Sequence, residues 1–275
     1  MKLDVFDLEG KKKKSIELPS QFDESYEPNI VKRAVLAFIS KLRQPYGTNP
    51  RAGFRQSAKI SRRRKSYKTA YGKGISRVPR KVMWRRGMQF GWVGTEAPGT
   101  VGGRRAHPPH GFKSWLREIN HTENSKAIRS ALGGLVGEKK VYVIVDDFEK
   151  LKKTKEVKST LIKLGFEEEL ERLKVKKVRA GRGKSRGRKY ITKVGPLVII
   201  SKESDVCKGA RNLTGFDVVN VNALNINLLT RGHEELRQTI WTESAISALE
   251  KQNLFRGKKW KLMMYQDIHW ILKKQ

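Results

Sequence analysis

Cysteine, acidic residues and long apolar runs are all scarce in this sequence, and each shortage excludes a class of protein. A single cysteine, Cys207, in 275 residues removes any disulfide framework and any zinc site built on several thiolates. The longest uninterrupted apolar run is Val141-Tyr142-Val143-Ile144-Val145, far short of the ~20 residues a membrane helix needs. The N-terminus shows no apolar signal-peptide core. Acids number 27 against 60 Lys+Arg, a formal net charge of +33. A chain so charged repels itself, and the balance points to a polyanionic partner, most simply nucleic acid. Hydrophobic residues make up 37%, enough for one core but low for two. The expectation is a soluble, intracellular, polyanion-binding protein with no membrane contact, no small-molecule substrate and no cofactor.

Leucine is missing from one long stretch. Residues 43–113 hold 18 Lys/Arg and one acid, Glu96, so about half of the surplus charge sits in a quarter of the chain. The same stretch has 11 of the 24 glycines and six of the nine prolines. It cannot bury enough apolar surface to offset its ordering entropy. It also far exceeds the ~12–15 residues usual for an unstructured connection. Either it is disordered, or a partner orders it. Fully extended at ~3.3 Å per residue, a there-and-back loop of this length could project on the order of 100 Å.

The flanks carry the periodicities of a folded domain. Leu3, Val5 and Phe6 read as a strand, followed by a charged turn at Gly10–Lys14. Ile30, Val31, Ala34, Val35, Phe38, Ile39 and Leu42 recur at helical spacing, with Asn29 as the expected cap and Gln44, before a proline, as the expected stop. Ala127, Ile128, Ala131, Leu132 and Leu135 mark a second helix over about 124–135, with Gly133-Gly134 near its end. Val141–Val145 is a buried strand, and Val157, Leu161 and Leu164 give a helix closed by Gly165. Leu197–Ile200 is another buried strand, followed by a helix through Val206, Ala210 and Leu213. Phe216–Val221 and Thr239–Trp241 read as further strands, and Glu243–Leu249 as a last helix. Alternating strands and helices predict an α/β fold: a three-layer, mainly parallel sheet flanked by helices. The expected domain comprises residues 1–42 and 114–252. Residues 43–113 form a basic, extended internal loop between the first two helices, and 253–275 a C-terminal extension.

Within the basic stretch the candidate RNA contacts are Arg43, Arg51, Arg55, Lys59, Arg62, Arg63, Arg64, Lys65, Lys68, Lys73, Arg77, Arg80, Lys81, Arg85, Arg86, Arg104 and Arg105. Tyr46, Phe54, Tyr67, Tyr71, Trp84, Phe90 and Trp92 are interleaved with them. Planar guanidinium groups suit phosphate oxygens, and aromatic faces can stack on unpaired bases. The plainer reading is a disordered basic linker; aromatic content and repeated Gly-X-Gly turns favour a loop ordered by RNA. A second basic run, 174–189, adds Arg182, Lys184, Arg186, Arg188 and Lys189. Its Gly183-Lys184-Ser185 is not a phosphate loop, because Val178 stands where the first glycine is required. Gly181-Arg182-Gly183 likewise fails as a dinucleotide fingerprint, with Arg186 at the third glycine position.

Signals for chemistry are thin. Asp146-Asp147 follows a buried strand, where α/β enzymes place metal-binding carboxylates; the bland reading is that one of them ends the strand and caps the next turn. His107-Pro108-Pro109-His110 lacks further ligands and reads as a rigid proline turn. Cys207 falls on the apolar side of a helix and reads as a core residue. The competing functional class is a metal-dependent RNA-processing enzyme using Asp146 and Asp147, with the basic loop as a substrate clamp. No constellation argues for catalysis, and no metal site is assigned.

Several short motifs occur in chain order: Tyr46-Gly47, Arg77-Val78-Pro79, Gly103-Arg104-Arg105-Ala106-His107-Pro108-Pro109, Arg129-Ser130-Ala131-Leu132, Val145-Asp146-Asp147-Phe148-Glu149, Thr154-Lys155-Glu156-Val157, Arg182–Tyr190, Ala210-Arg211-Asn212-Leu213 and Trp241-Thr242-Glu243-Ser244-Ala245. Together, over roughly residues 1–250, the sequence resembles the universal family of large ribosomal subunit protein four, in its archaeal and eukaryotic branch and of archaeal type. The resemblance implies a structural, non-enzymatic constituent of the large subunit, located in cytoplasmic ribosomes. Its globular domain would dock on the outside of the subunit, and its loop would thread ribosomal RNA to the wall of the nascent-peptide exit tunnel. By position, the tunnel-proximal part is Tyr71, Gly72, Lys73, Gly74, Ile75, Ser76, Arg77, Val78, Pro79 and Arg80. The implied partners are large-subunit ribosomal RNA and neighbouring ribosomal proteins, including another tunnel-lining protein. The His107-Pro108-Pro109 turn would bring the loop back toward the domain. Trp84–Trp92 is richer in aromatics than the family pattern, and Asn253–Gln275 runs beyond the usual archaeal end. Two readings of that tail stay open: a helix folded on its own domain, or an anchor on a neighbour.

Overall fold

A computed structural model describes residues 1–232 and 235–256. From residue 257 onward, the tail discussed above lies outside the described residues. The chain runs β1 (Lys2–Phe6), β2 (Lys12–Glu17), α1 (Pro28–Leu42), β3 (Arg80–Arg86), β4 (Gln89–Gly94), α2 (His121–Gly137) and β5 (Val141–Ile144). There follow α3 (Thr154–Lys163), α4 (Glu167–Lys174), β6 (Lys177–Val178), β7 (Tyr190–Ile191), β8 (Leu197–Ile200), α5 (Val206–Arg211) and β9 (Asp217–Asn220). The last elements are α6 (Ile226–Leu229), β10 (Thr230–Arg231), β11 (Glu235–Leu236), β12 (Thr239–Thr242) and α7 (Glu243–Lys251). Two units result: one holds residues 1–42 and 116 onward, the other Arg43–Trp115.

The first unit is a mixed α/β fold around a six-stranded sheet of order β2-β1-β5-β12-β8-β9. Only the β1–β2 pair is antiparallel; β1, β5, β12, β8 and β9 run parallel. The strand sequences dictate the layers, because side chains alternate between faces. Val141, Val143, Leu197, Ile199, Val219 and Trp241 join Val31 and Val35 of α1 and Ile128, Leu132 and Leu135 of α2 in one buried cluster. Ile144, Val198, Ile200, Val218 and Ile240 point the other way, onto Val157 and Leu161 of α3, Leu170 and Leu173 of α4, and Val206 and Ala210 of α5. Both faces are therefore covered, which explains strands that read as unbroken apolar runs rather than as alternation. Each fully buried aliphatic side chain is worth about 1.5–3 kcal/mol, so these two clusters dominate the stability.

Three local expectations are corrected, and one further element appears. The charged turn placed at Gly10–Lys14 is shorter: Gly10, at φ 80°, makes the turn and β2 starts at Lys12. Its exposed lysines suit an edge strand, where charge discourages further pairing. Asn29 is not the cap of α1, because Pro28 already occupies the first helical position, where its missing N–H costs nothing. Gly133-Gly134 lies inside α2 rather than closing it. A Cβ at Gly133 would strike the Glu24 carbonyl, and one at Gly134 the Tyr26 ring, so glycine here serves close packing. Finally, α4 is a helix that the periodicity did not announce, since only Leu170 and Leu173 of its eight residues are buried.

The second unit, taken by itself, has almost no apolar interior; Ala70 is its one buried hydrophobic residue. Its outgoing and returning limbs run side by side. The Thr48 N–H donates to the Pro109 carbonyl (3.0 Å), and the Thr95 hydroxyl donates to Gln56 Oε1 (2.5 Å). Tyr46 stacks on Trp115 with centroids 5.2 Å apart. Gly53, at φ 81°, lies against the Arg104 backbone, where any side chain would clash. Beyond these contacts, β3 and β4 form an antiparallel hairpin with an irregularity between Val82 and Trp84.

Candidate nucleic-acid interface

The structure sorts the cations by partner. In the first unit many are neutralised by carboxylates: Lys14 by Glu243 (2.7 Å), Arg33 by Glu123 (3.1 Å), Lys126 by Glu27 (2.7 Å) and Arg129 by Glu24 (2.5 Å). In Arg43–Trp115 the only acid is Glu96, and among the described residues none of the cations pairs with a carboxylate. Seven of them lie on aromatic faces instead. The Arg43 guanidinium sits 4.2 Å from the Trp115 centroid and 5.3 Å from that of Tyr46. Arg77 lies 4.5 Å over Tyr71, Arg80 5.1 Å over Trp92, and Arg104 5.6 Å over Phe54. Tyr67 takes Lys68 at 5.5 Å and Arg85 at 5.9 Å, and itself packs edge-on against Phe90, which meets Trp92. Such contacts hold a guanidinium in place without neutralising it, which leaves its charge available to a polyanion.

Arg43, Arg51, Arg55, Lys59, Arg62, Arg63, Arg64, Lys65, Lys73, Arg77, Arg85, Arg86 and Arg105 are exposed, while Lys68, Lys81 and Arg104 are half-buried. Arg80 differs. It is 8% exposed, and its guanidinium donates to the Val78 carbonyl and the Ser76 hydroxyl, both at 3.3 Å. Its place is inside the unit, closing the turn over residues 76–80 at the start of β3. In Tyr71–Arg80, Gly72 and Gly74 adopt φ 72° and 65° with open space around them, and Lys73, Ile75, Ser76 and Arg77 are exposed. Trp115 was not singled out in the sequence, although it stacks on Tyr46 and meets both Arg43 and Lys113; the aromatic two residues beyond the basic Lys113 was the available signal.

The second basic run is a short arm. β6 and β7 pair Lys177 with Ile191 and Val178 with Tyr190, and all four residues are exposed. Beyond the ladder, the Arg188 N–H donates to the Gly183 carbonyl (3.0 Å), and Gly187 turns at φ 79°. Arg182, Lys184, Arg186, Arg188 and Lys189 are all exposed, and Tyr190 is flanked by Lys176 at 5.7 Å and Lys189 at 5.6 Å. Lys176, within the basic run 174–189 though not among its named contacts, belongs with this group.

The carboxylates considered for metal chemistry serve internal roles. Asp146 Oδ1 accepts the Ser244 N–H at the start of α7 (2.8 Å). Asp147 pairs with Lys150 at 2.7 Å, and that hydrogen bond holds its carboxyl below the ordinary range. Glu149, one helical turn on, accepts from Ser201, Thr242 and Ser244, stitching the carboxyl ends of β8 and β12 together. Among the described residues no group of three or more His, Cys, Asp or Glu could hold a metal ion. Cys207 is half-buried against the cluster of α3, α4 and α5.

Comparison with known proteins agrees with this geometry. The profile of the ribosomal protein L4/L1 family matches residues 16–252. A large ribosomal subunit protein uL4 from Nanoarchaeum equitans is 41% identical over 267 residues, covering 93% of this chain and all of its own. The proteins of the same name from Archaeoglobus fulgidus (39% identical, 90% of this chain, 98% of its own) and Methanoregula boonei (40%, 91% and 99%) are similar throughout.

Proposed function

The chain belongs to the ribosomal protein L4/L1 family, and from that premise we propose that it is a structural constituent of the large ribosomal subunit that binds ribosomal RNA. Its role is architectural rather than enzymatic, exercised within cytoplasmic ribosomes. The observation that carries this reading is the segregation of charge: cations paired with acids are concentrated in the α/β unit, while those of residues 43–113, some of them held on rings, are not neutralised by carboxylates among the described residues. RNA phosphates complete them. Residues 43–113 act as the RNA-penetrating loop, and Tyr71–Arg80 helps to line the nascent-peptide exit tunnel. Gly72 and Gly74, with open space around their backbones, suit a segment that meets a passing chain rather than a packed neighbour. Neighbouring ribosomal proteins, among them another tunnel-lining protein, complete the surroundings.

Co-sedimentation of the full chain with large subunits tests the reading directly, and its absence at low salt would refute it. The affinity for large-subunit RNA should fall steeply with salt, log K changing by about 0.7–0.9 per phosphate contact for each unit of log salt. Replacing Arg62, Arg63 and Arg64 by alanine should lower that slope by roughly 2–3. A photo-crosslinker at Ile75 should label nascent chains in translating ribosomes.

A further inference from the structure

The arm 176–192 carries eight Lys/Arg and no acid, yet its two strands are only two residues long and exposed. Two-stranded ladders are marginal alone, so something must hold this one at its root. The chain enters the arm from α4 and leaves it through residues 193–195 toward β8. Arg172 of α4 donates from Nη2 to the Val194 carbonyl (2.8 Å), and Lys193 returns a bond from Nζ to the Arg172 carbonyl (2.8 Å). Both limbs are thereby closed on Arg172, once through its guanidinium and once through its backbone carbonyl. That guanidinium is itself held by Glu169, whose other oxygen accepts from Arg231 Nη2 at 2.9 Å. Arg231 lies in β10, outside the arm. The Glu169 side chain is 18% exposed, so the two pairs are shielded more than a surface salt bridge is.

We infer that Glu169 is the positioning residue of a second RNA contact: gripped between Arg172 and Arg231, it fixes the root from which the arm 176–192 meets the sugar–phosphate backbone of folded RNA. This rests on the RNA-binding reading above and adds how the arm is aimed. A carboxylate is the right group for the task. Burial alone would raise its pKa, but the hydrogen bonds from Arg172 and Arg231 outweigh burial and hold it below the ordinary range, so it stays charged. It contacts no RNA itself; a negative charge at the surface of the arm would repel phosphate. Its effect is to order the arm before binding, so that the cost of ordering is not charged against the affinity.

The test uses the full chain and large-subunit ribosomal RNA, with log K measured against log salt. Glu169→Ala should weaken binding roughly 10-fold at every salt concentration and leave the slope unchanged, because the phosphate contacts are the same in number. The double variant Arg186→Ala/Arg188→Ala should instead lower the slope by roughly 1.5. Wild-type affinity in Glu169→Ala overturns the proposal, and so does a slope lowered as in the double variant. Should Glu169→Ala fail to fold, Arg172→Ala removes both the tether to Val194 and the pair with Glu169 and must show the same parallel loss; an unchanged affinity there overturns the proposal equally. A wild-type chain that binds without salt dependence would refute RNA binding itself, a different failure from an inert Glu169.

Discussion

Replacing Arg237 by methionine should remove a large share of the stability of the α/β unit. The Arg237 side chain is 3% exposed, between the starts of β8, β9 and β12. Its Nη2 donates to the carbonyls of Gly215 (3.1 Å) and Pro196 (3.2 Å), its Nε to that of Gly195, and its Nη1 meets Asp217 Oδ2 at 2.9 Å. Three backbone carbonyls from two bends therefore share one buried cation. Burial pushes the pKa of the guanidinium down, and Asp217 opposes that shift. Methionine fills the volume but leaves acceptors without donors. Charge-assisted hydrogen bonds contribute ~1.5–3 kcal/mol each, yet simple addition overstates the loss: the Gly215 carbonyl keeps a bond from the Gly195 N–H (2.9 Å), and Asp217, 34% exposed, can hydrate. Breaking a buried pair from one side costs about 3–5 kcal/mol, and about 4 kcal/mol is expected here. For a unit of this size that lowers the melting temperature by roughly 8–16 °C. Guanidinium chloride unfolding followed by circular dichroism measures it, with Asp217→Asn as the milder control, since an amide oxygen still accepts the guanidinium. A loss below about 1 kcal/mol in Arg237→Met would show that these bends do not depend on the cation.

Two further perturbations follow from packing. Deletion of residues 55–100 removes one buried hydrophobic residue, Ala70, so the remaining chain should unfold cooperatively within about 1 kcal/mol of the parent; loss of cooperative unfolding would contradict this. Gly133→Ala drives a methyl group against the Glu24 carbonyl and should cost about 1–3 kcal/mol by chemical denaturation, whereas Gly137→Ala, with open space around it, should be neutral or stabilising.

Much of the fold was legible because its signals are local. The runs at residues 141–145 and 197–200 announced strands buried on both faces, and the clusters on either side of the sheet show why they are apolar throughout. The elements that escaped are those whose local sequence is ambiguous. Lys12–Glu17 is a strand whose first three residues are lysines, stable because β1 supplies its partner. Glu167–Lys174 is a helix with two buried residues, stable because the sheet receives them. Gly133-Gly134 looked like a helix end because glycine usually ends helices; only the proximity of Glu24 and Tyr26 turns it into a packing device.

The candidate interface divides the same way. Charge surplus, its concentration in a leucine-free stretch and the interleaved aromatics are properties of composition, and the sequence by itself determined that the partner is a polyanion. The order of short motifs determined the family. What composition cannot convey is which cations are neutralised, because pairing depends on groups distant in the chain. Arg33 and Arg129 meet carboxylates, Arg43 and Arg77 meet rings, and Arg80, one of the same basic run, is turned inward. The roots of the arm at 176–192 depend likewise on Glu169 meeting Arg231 from 62 residues away. The sequence set the amount of charge and its neighbourhood; the tertiary structure decided which charges are paired with an acid and which are held on a ring, because only folding brings an acid or a ring within reach of each.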